Sequence, residues 1–144
     1  MAEYAREYLY VQKLNYDCAD IINIAKFQHK TEIEAIQTSV SDIIFDTDLI
    51  TIKIWLQYMH CEVPDWIENT IKTYYDRYYI LMAPTIPWVD DGLRNLEDKR
   101  EEIHQRYKKE LDQQGFTYYE IVSKIGEREE EIEDLYKMIK TQNV

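Results

Sequence analysis

The 144-residue chain predicts a single α/β domain, a parallel sheet with helices on both faces in three layers. Two observations carry this. Segments with apolar residues at helical spacing alternate with short β-prone runs, the pattern of strands joined by crossover helices. The first such run, Ile43, Ile44 and Phe45, is uninterruptedly apolar, as in a strand covered on both faces. The length fits one domain.

The elements follow in order. Residues 3–14 carry charges with spaced tyrosines and Leu9, a helix. Residues 17–37 form a second, with Cys18, Ile21, Ile22, Ala25, Ile33 and Ile36 near helical spacing. The first strand, 43–46, ends in acids at Asp46 and Asp48. Residues 49–59 are a helix by position, though rich in β-branched residues. Pro64-Asp65 opens the next, with Asp65 and Glu68 at capping-box spacing. A second strand spans 77–83. Residues 96–114 form a long helix with Leu96, Ile103, Tyr107 and Leu111 on one side, Asn95 as its cap and Gly115 as its stop. A third strand covers 116–122. A last amphipathic helix uses Ile132, Leu135, Tyr136 and Ile139. No repeat, linker or low-complexity tract interrupts the series.

Composition excludes several functions. The net charge is −11, from 17 basic and 28 acidic residues. A nucleic-acid or anionic-membrane surface needs a clustered positive excess, so neither partner is expected. Thirteen tyrosines suggest a core of large rings whose hydroxyls reach the surface. Cys18 and Cys61 lie far apart without a CxxC, and three histidines leave too few soft ligands for zinc. Both cysteines read as reduced, buried thiols of a cytoplasmic protein. No apolar stretch is long enough to span a bilayer, and MAEYAREYLY lacks the layout of a signal peptide.

Two places could carry chemistry. In FDTD, Asp46 follows an apolar strand, where P-loop NTPases hold Mg²⁺ through water. Asp48 could share that role or simply cap the helix at Leu49. The second place is PWVDDGLR, Pro87 to Arg94, at the carboxyl end of a strand, where α/β proteins keep ligands. Asp90, Asp91 and the following glycine are also ordinary turn chemistry. From Arg94 to Lys109 six cations face four acids, a local excess suited to a phosphate or to a solvated helix with paired charges. Glu101-x-x-His104 has the spacing of a di-iron half-site, but such sites need two copies. His60-Cys61 has no partners in sequence. Tyr74, Tyr75, Tyr78 and Tyr79 read as core and interface. Three glycines cannot make a glycine-rich phosphate loop.

Together EYAREYL, the Gln28 of IAKFQ, FDTDLIT, IPWVDDGLRNLEDKREEIHQRYKKEL, YYEIV and GEREEEIEDL resemble the AAA/P-loop kinase domain of the NadR family, ribosylnicotinamide kinases of NAD biosynthesis. The likeness runs from about Glu3 to about Lys140. It implies a P-loop NTPase-like fold and transfer of the γ-phosphoryl of ATP to the 5′-hydroxyl of nicotinamide riboside, with ATP and Mg²⁺ as cofactors. Residues 87–100 would begin the lid. Arg94 and Arg100 would stabilise the transferring phosphoryl. Glu3 would be the general base or ribose contact, with Arg6 close by. Asp46 and Asp48 would serve Mg²⁺ through water. Trp88 would stack on the nicotinamide ring, with Asp90 and Asp91 beside it.

The sequence departs from the family in one respect. No GxxxxGK(S/T) loop is present, nor the strand and helix around it. The resemblance therefore implies a domain truncated at its amino end. Without the backbone cradle and its lysine, the chain is not expected to hold ATP or phosphorylate anything alone. Strand edges left open could take a second copy or a separately encoded P-loop piece. A non-catalytic assembly module and a regulatory nucleotide-binding relative are the alternatives to a metabolic kinase.

Overall fold

The computed structural model describes residues 5, 8, 15–87 and 97–142. The chain divides into two compact units, Met1–Tyr75 and Asp76–Val144.

The first unit is helical. Helix α1 (Cys18–Thr38) starts at a reciprocal cap. The Asp17 carboxylate accepts from the Ala19 and Asp20 amides, and the Asp20 carboxylate accepts from the Asp17 amide at 3.0 Å. The Tyr8 hydroxyl donates to Asp20 at 2.7 Å. The Asp17 amide and this hydroxyl hold the Asp20 carboxyl below its usual range. Ala5 and Tyr8 are helical, as the predicted helix 3–14 requires; its other residues lie outside the described ones.

Helix α2 (Leu49–Tyr58) packs on α1, and the short α3 (Asp65–Ile71) packs on α2. Ile21, Ile24 and Ala25 of α1, Leu49, Ile50, Ile52 and Leu56 of α2, and Ile67 and Ile71 of α3 form the buried core. Each such leucine or isoleucine contributes about 1.5–3 kcal/mol of burial, which overrides the weak helix preference of the β-branched run in α2. Lys53 is buried too and reaches Glu68 of α3 at 2.9 Å.

Three expectations are corrected here. Residues 43–46 are not a strand but irregular chain, with Ile44 86% exposed. A strand needs a hydrogen-bonding neighbour, and none pairs with this run among the described residues. The capping box at Asp65 and Glu68 does not form. Pro64 occupies the cap position without a side-chain acceptor, and Glu68 turns to the Lys53 ammonium instead. Cys18 and Cys61 are not reduced thiols: they form a disulfide, with Cα atoms 5.8 Å apart. Cysteine usage therefore no longer argues for a reducing compartment.

The second unit is α/β. Strand β1 (Tyr79–Met82) pairs in parallel with β2 (Tyr118–Ile121), Tyr79 opposite Tyr118 and Met82 opposite Ile121. Among the described residues the sheet has these two strands. A 3₁₀ turn, Glu97–Lys99, leads into α4 (Arg100–Gln114), which ends at Gly115 with φ 71°. That left-handed position is where glycine carries no steric cost. Helix α5 (Arg128–Gln142) closes the unit.

Alternation along β2 sends its side chains to two faces. Ile121 and Tyr119 pack with Ile132, Leu135 and Ile139 of α5. Glu120 points the other way, to α4, where His104 Nε2 lies 2.6 Å and Lys108 Nζ 2.8 Å from its carboxylate. Lys108 first, then His104, hold the Glu120 carboxyl below its usual range. Desolvation, with Asp112 adding, pushes the neighbouring Tyr118 phenol up. Helices thus cover both faces of β2. No helix of the described residues is long and apolar enough to cross a membrane.

Candidate functional site

At the carboxyl ends of β1 and β2, polar side chains converge on backbone around the strand termini. Parallel strands both end there, which is why α/β sheets bind ligands at that edge. Two arginines hold it. Arg100, the first residue of α4, donates through Nη1 to the Ile86 carbonyl at 2.6 Å. Arg128, the first residue of α5, donates through Nη2 to the Ala83 carbonyl at 2.6 Å and to Thr85 Oγ1 at 2.8 Å, and through Nε to the Ser123 carbonyl at 3.0 Å. Thr85 Oγ1 donates to the same Ser123 carbonyl at 3.1 Å, and Ser123 Oγ donates to Glu131. The edge is therefore a fixed ring: the exit of β1, the exit of β2, and the first turns of two helices.

Both guanidiniums are half-buried. A guanidinium is planar, permanently charged and carries five donors, so it can bond backbone and still face an anion. The resemblance to the NadR family gave Arg100 as a phosphoryl-stabilising cation. The structure puts it beside the backbone of Ile86, just before that segment. Arg128 was not singled out, although it lies in the quoted GEREEEIEDL. The signal was there in its position: a cation two residues past a glycine, at the end of a strand and the start of a helix.

The remaining expected residues divide. Glu3, Arg6, Trp88, Asp90, Asp91 and Arg94 lie outside the described residues, as does Asn95. Asp46 and Asp48 share one loop of the first unit. Asp46 is exposed. Asp48 is buried and caps α2, its Oδ1 accepting from the Ile50 amide at 2.9 Å. Gln28 of α1 fixes the residue between them, donating to Thr47 Oγ1 at 3.1 Å.

A resident Mg²⁺ needs several oxygen ligands or a hydrated shell held by carboxylates and phosphates. Among the described residues no group of three or more His, Cys, Asp and Glu side chains could hold a metal. Asp48 is committed to its cap. The exposed Asp46 fits a hydrated cation through water and does not hold one by itself. Glu101 bonds Gln105, and His104 faces Glu120, so the two do not form a di-iron half-site.

No solved structure matches the chain. The family described as AAA domain matches it over residues 1–129, which covers the first unit, both strands and the start of α5. Its fold type is P-loop NTPase-like α/β, in keeping with parallel strands flanked by helices and with polar groups gathered at their carboxyl ends. The chain belongs to the AAA domain family.

Proposed function

We propose that this chain is the carboxyl-terminal part of an ATP-dependent small-molecule kinase resembling ribosylnicotinamide kinase, working only when a P-loop segment completes it. The reading rests on family membership and on one observation above the rest: Arg100 is anchored at 2.6 Å to the Ile86 carbonyl, at the strand end from which PWVDDGLR departs. In phosphoryl transfer the protein works chiefly by positioning and by stabilising spread negative charge. A guanidinium fixed to backbone needs no reorganisation to do that. ATP would supply the transferred group and Mg²⁺ its charge neutralisation. Asp46 would orient the hydrated ion, Arg94 would act beside Arg100, and Glu3 would take the substrate hydroxyl proton. Arg6, Trp88, Asp90 and Asp91 would contact the nucleoside. Asp48 holds the loop by capping.

The test is phosphorylation of nicotinamide riboside with labelled ATP, by the chain alone and with a polypeptide bearing the strand, GxxxxGK(S/T) loop and helix. No transfer is expected from the chain alone, and transfer from the mixture. Label in the product of the chain alone removes the requirement for completion. No label in a mixture that demonstrably binds ATP sinks the kinase reading.

A second reading, a non-catalytic assembly module, is favoured by β1, which pairs with β2 alone among the described residues, and by Ile80 and Met82 on its face, 39% and 41% exposed where parallel strands are ordinarily covered. A strand from a second copy or a P-loop piece would pair with the edge, and its helix would cover that face. A monodisperse, cooperatively unfolding monomer at micromolar concentration would count against it.

A further inference from the structure

We propose that Cys18–Cys61 is a reversible thiol–disulfide exchange site, taking two electrons from a dithiol reductant, and that its reduction releases the carboxyl-terminal cap of α2. The inference is independent of any kinase activity.

Three features of the first unit carry it. The bond joins the first residue of α1 to the second residue beyond the cap of α2, so it fastens these two helices at one end only. Cys18 is exposed and Cys61 half-buried, so the bond lies at the surface of the unit rather than in its core. Exposed disulfides are the labile and regulatory ones.

Next, Cys61 belongs to a demanding cap. The Cys61 amide donates to the Leu56 carbonyl at 2.9 Å and the His60 amide to Gln57 at 3.1 Å. This is the two-bond helix stop that needs a left-handed residue at its centre. That residue is ordinarily glycine, but here it is His60 with φ 57°. A side chain there costs free energy that the rest of the structure must hold down. The disulfide does so by tying the next residue to α1.

Finally, the unit does not depend on the bond for its core. Ile21, Ile24, Ala25, Leu49, Ile50 and Leu56 are buried to 1% exposure or less. Gln28–Thr47 fastens the other end of the helix pair. Reduction therefore loosens a turn and leaves the fold standing.

The chemistry balances as follows. A thiolate of the dithiol attacks Cys18 Sγ, the S–S bond breaks, and its electron pair leaves on Cys61 Sγ, which takes a proton from water. The second thiol then attacks the reductant's own sulfur in the mixed disulfide and expels Cys18 as a thiolate, which is protonated. The protein gains two electrons and two protons, and the dithiol becomes a disulfide.

The test uses the full chain with dithiothreitol at neutral pH and no denaturant, followed by alkylation, mass measurement and amide hydrogen exchange. Both cysteines should alkylate. Exchange at residues 56–61 should speed up on the order of tenfold, the factor matching the cost of a left-handed non-glycine residue. Exchange at 21–25 and 50–54 should stay as it was, and reoxidation should restore the original pattern. Cysteines that alkylate only in denaturant overturn the proposal. So does exchange that rises throughout the unit, which would make the bond a structural staple. The variant His60→Gly removes the backbone cost, so after reduction it should keep the protection of the oxidised protein at 56–61. Equal fraying in that variant refutes the link between the bond and the cap.

Discussion

Arg128 offers a sharp test of how the carboxyl edge of the sheet is held. One guanidinium bonds two main-chain carbonyls just beyond the ends of different strands, Ala83 and Ser123, and the Thr85 hydroxyl. Hydrogen bonds from a charged donor are worth about 1.5–3 kcal/mol each. The three share one half-buried side chain, so they do not add independently. We expect Arg128→Ala to cost about 1.5–3 kcal/mol, the worth of its charged hydrogen bonds, since the Ala83 carbonyl keeps the Thr85 amide at 2.8 Å and the Ser123 carbonyl keeps the Thr85 hydroxyl. The assay is denaturant unfolding followed by far-ultraviolet circular dichroism, with the midpoint shift read at constant slope. Arg128→Lys should recover less than half of the loss. An ammonium on a flexible stem cannot span two diverging carbonyls as Nε and Nη2 do. A loss below about 0.5 kcal/mol for the alanine variant, the range of ordinary surface substitutions, would refute the reasoning.

Three further outcomes are expected. Asp48→Ala should cost about 1–2 kcal/mol through loss of the α2 cap, whereas Asp48→Asn should be nearly silent; calorimetry distinguishes them, and an asparagine as damaging as alanine would point to a need for the charge. Glu68→Gln should destabilise by about 2–3 kcal/mol, below the range for a fully buried pair because Glu68 is 32% exposed, and should cost more than Lys53→Met, since the former keeps a buried ammonium and removes the carboxylate facing it. Glu120 has its folded pKa depressed by Lys108 and His104, so its contribution is present above the ordinary carboxylate value of about 4.3 and disappears as pH falls through the depressed one. Glu120→Gln should therefore flatten the acid limb of stability against pH, and an unchanged acid limb would remove Glu120 from the account.

Much of the helical layer was legible because helix periodicity and caps are local. The predicted helix at 17–37 appears as Cys18–Thr38, that at 49–59 as Leu49–Tyr58, and Gly115 stops α4 as its backbone freedom requires. Strands at 77–83 and 116–122 shrink to Tyr79–Met82 and Tyr118–Ile121, the stretch over which each finds the other. Residues 43–46 read as a strand because β preference is written in side chains, while strandedness is a property of a pair. The disulfide was illegible for a similar reason. Two cysteines separated by 43 residues meet only because α1 and α2 lie side by side. Of the candidate site, Asp48 was legible as the cap of α2 from its place before Leu49, whereas Arg100 was named from the resemblance and its bond to the Ile86 carbonyl is not written in the sequence. Arg128 was passed over although its place two residues past Gly126, at the start of a helix, marked it; its partners are backbone carbonyls, which every residue has.

The parallel pairing of β1 with β2 has a consequence for the chain while it is being made. Antiparallel neighbours can zip from a tight turn, but Tyr79 and Tyr118 meet only after the whole of α4 has been synthesised between them. At about 5–20 residues per second, β1 waits some ~2–8 s for its partner. For that interval Tyr79, Ile80, Leu81 and Met82 stand as a bare apolar tetrad at the ribosome. The helical first unit, already complete and built from close neighbours in sequence, is meanwhile free to fold. The order of translation thus makes the sheet the late and vulnerable event in this molecule, and α4 the spacer whose completion ends the wait.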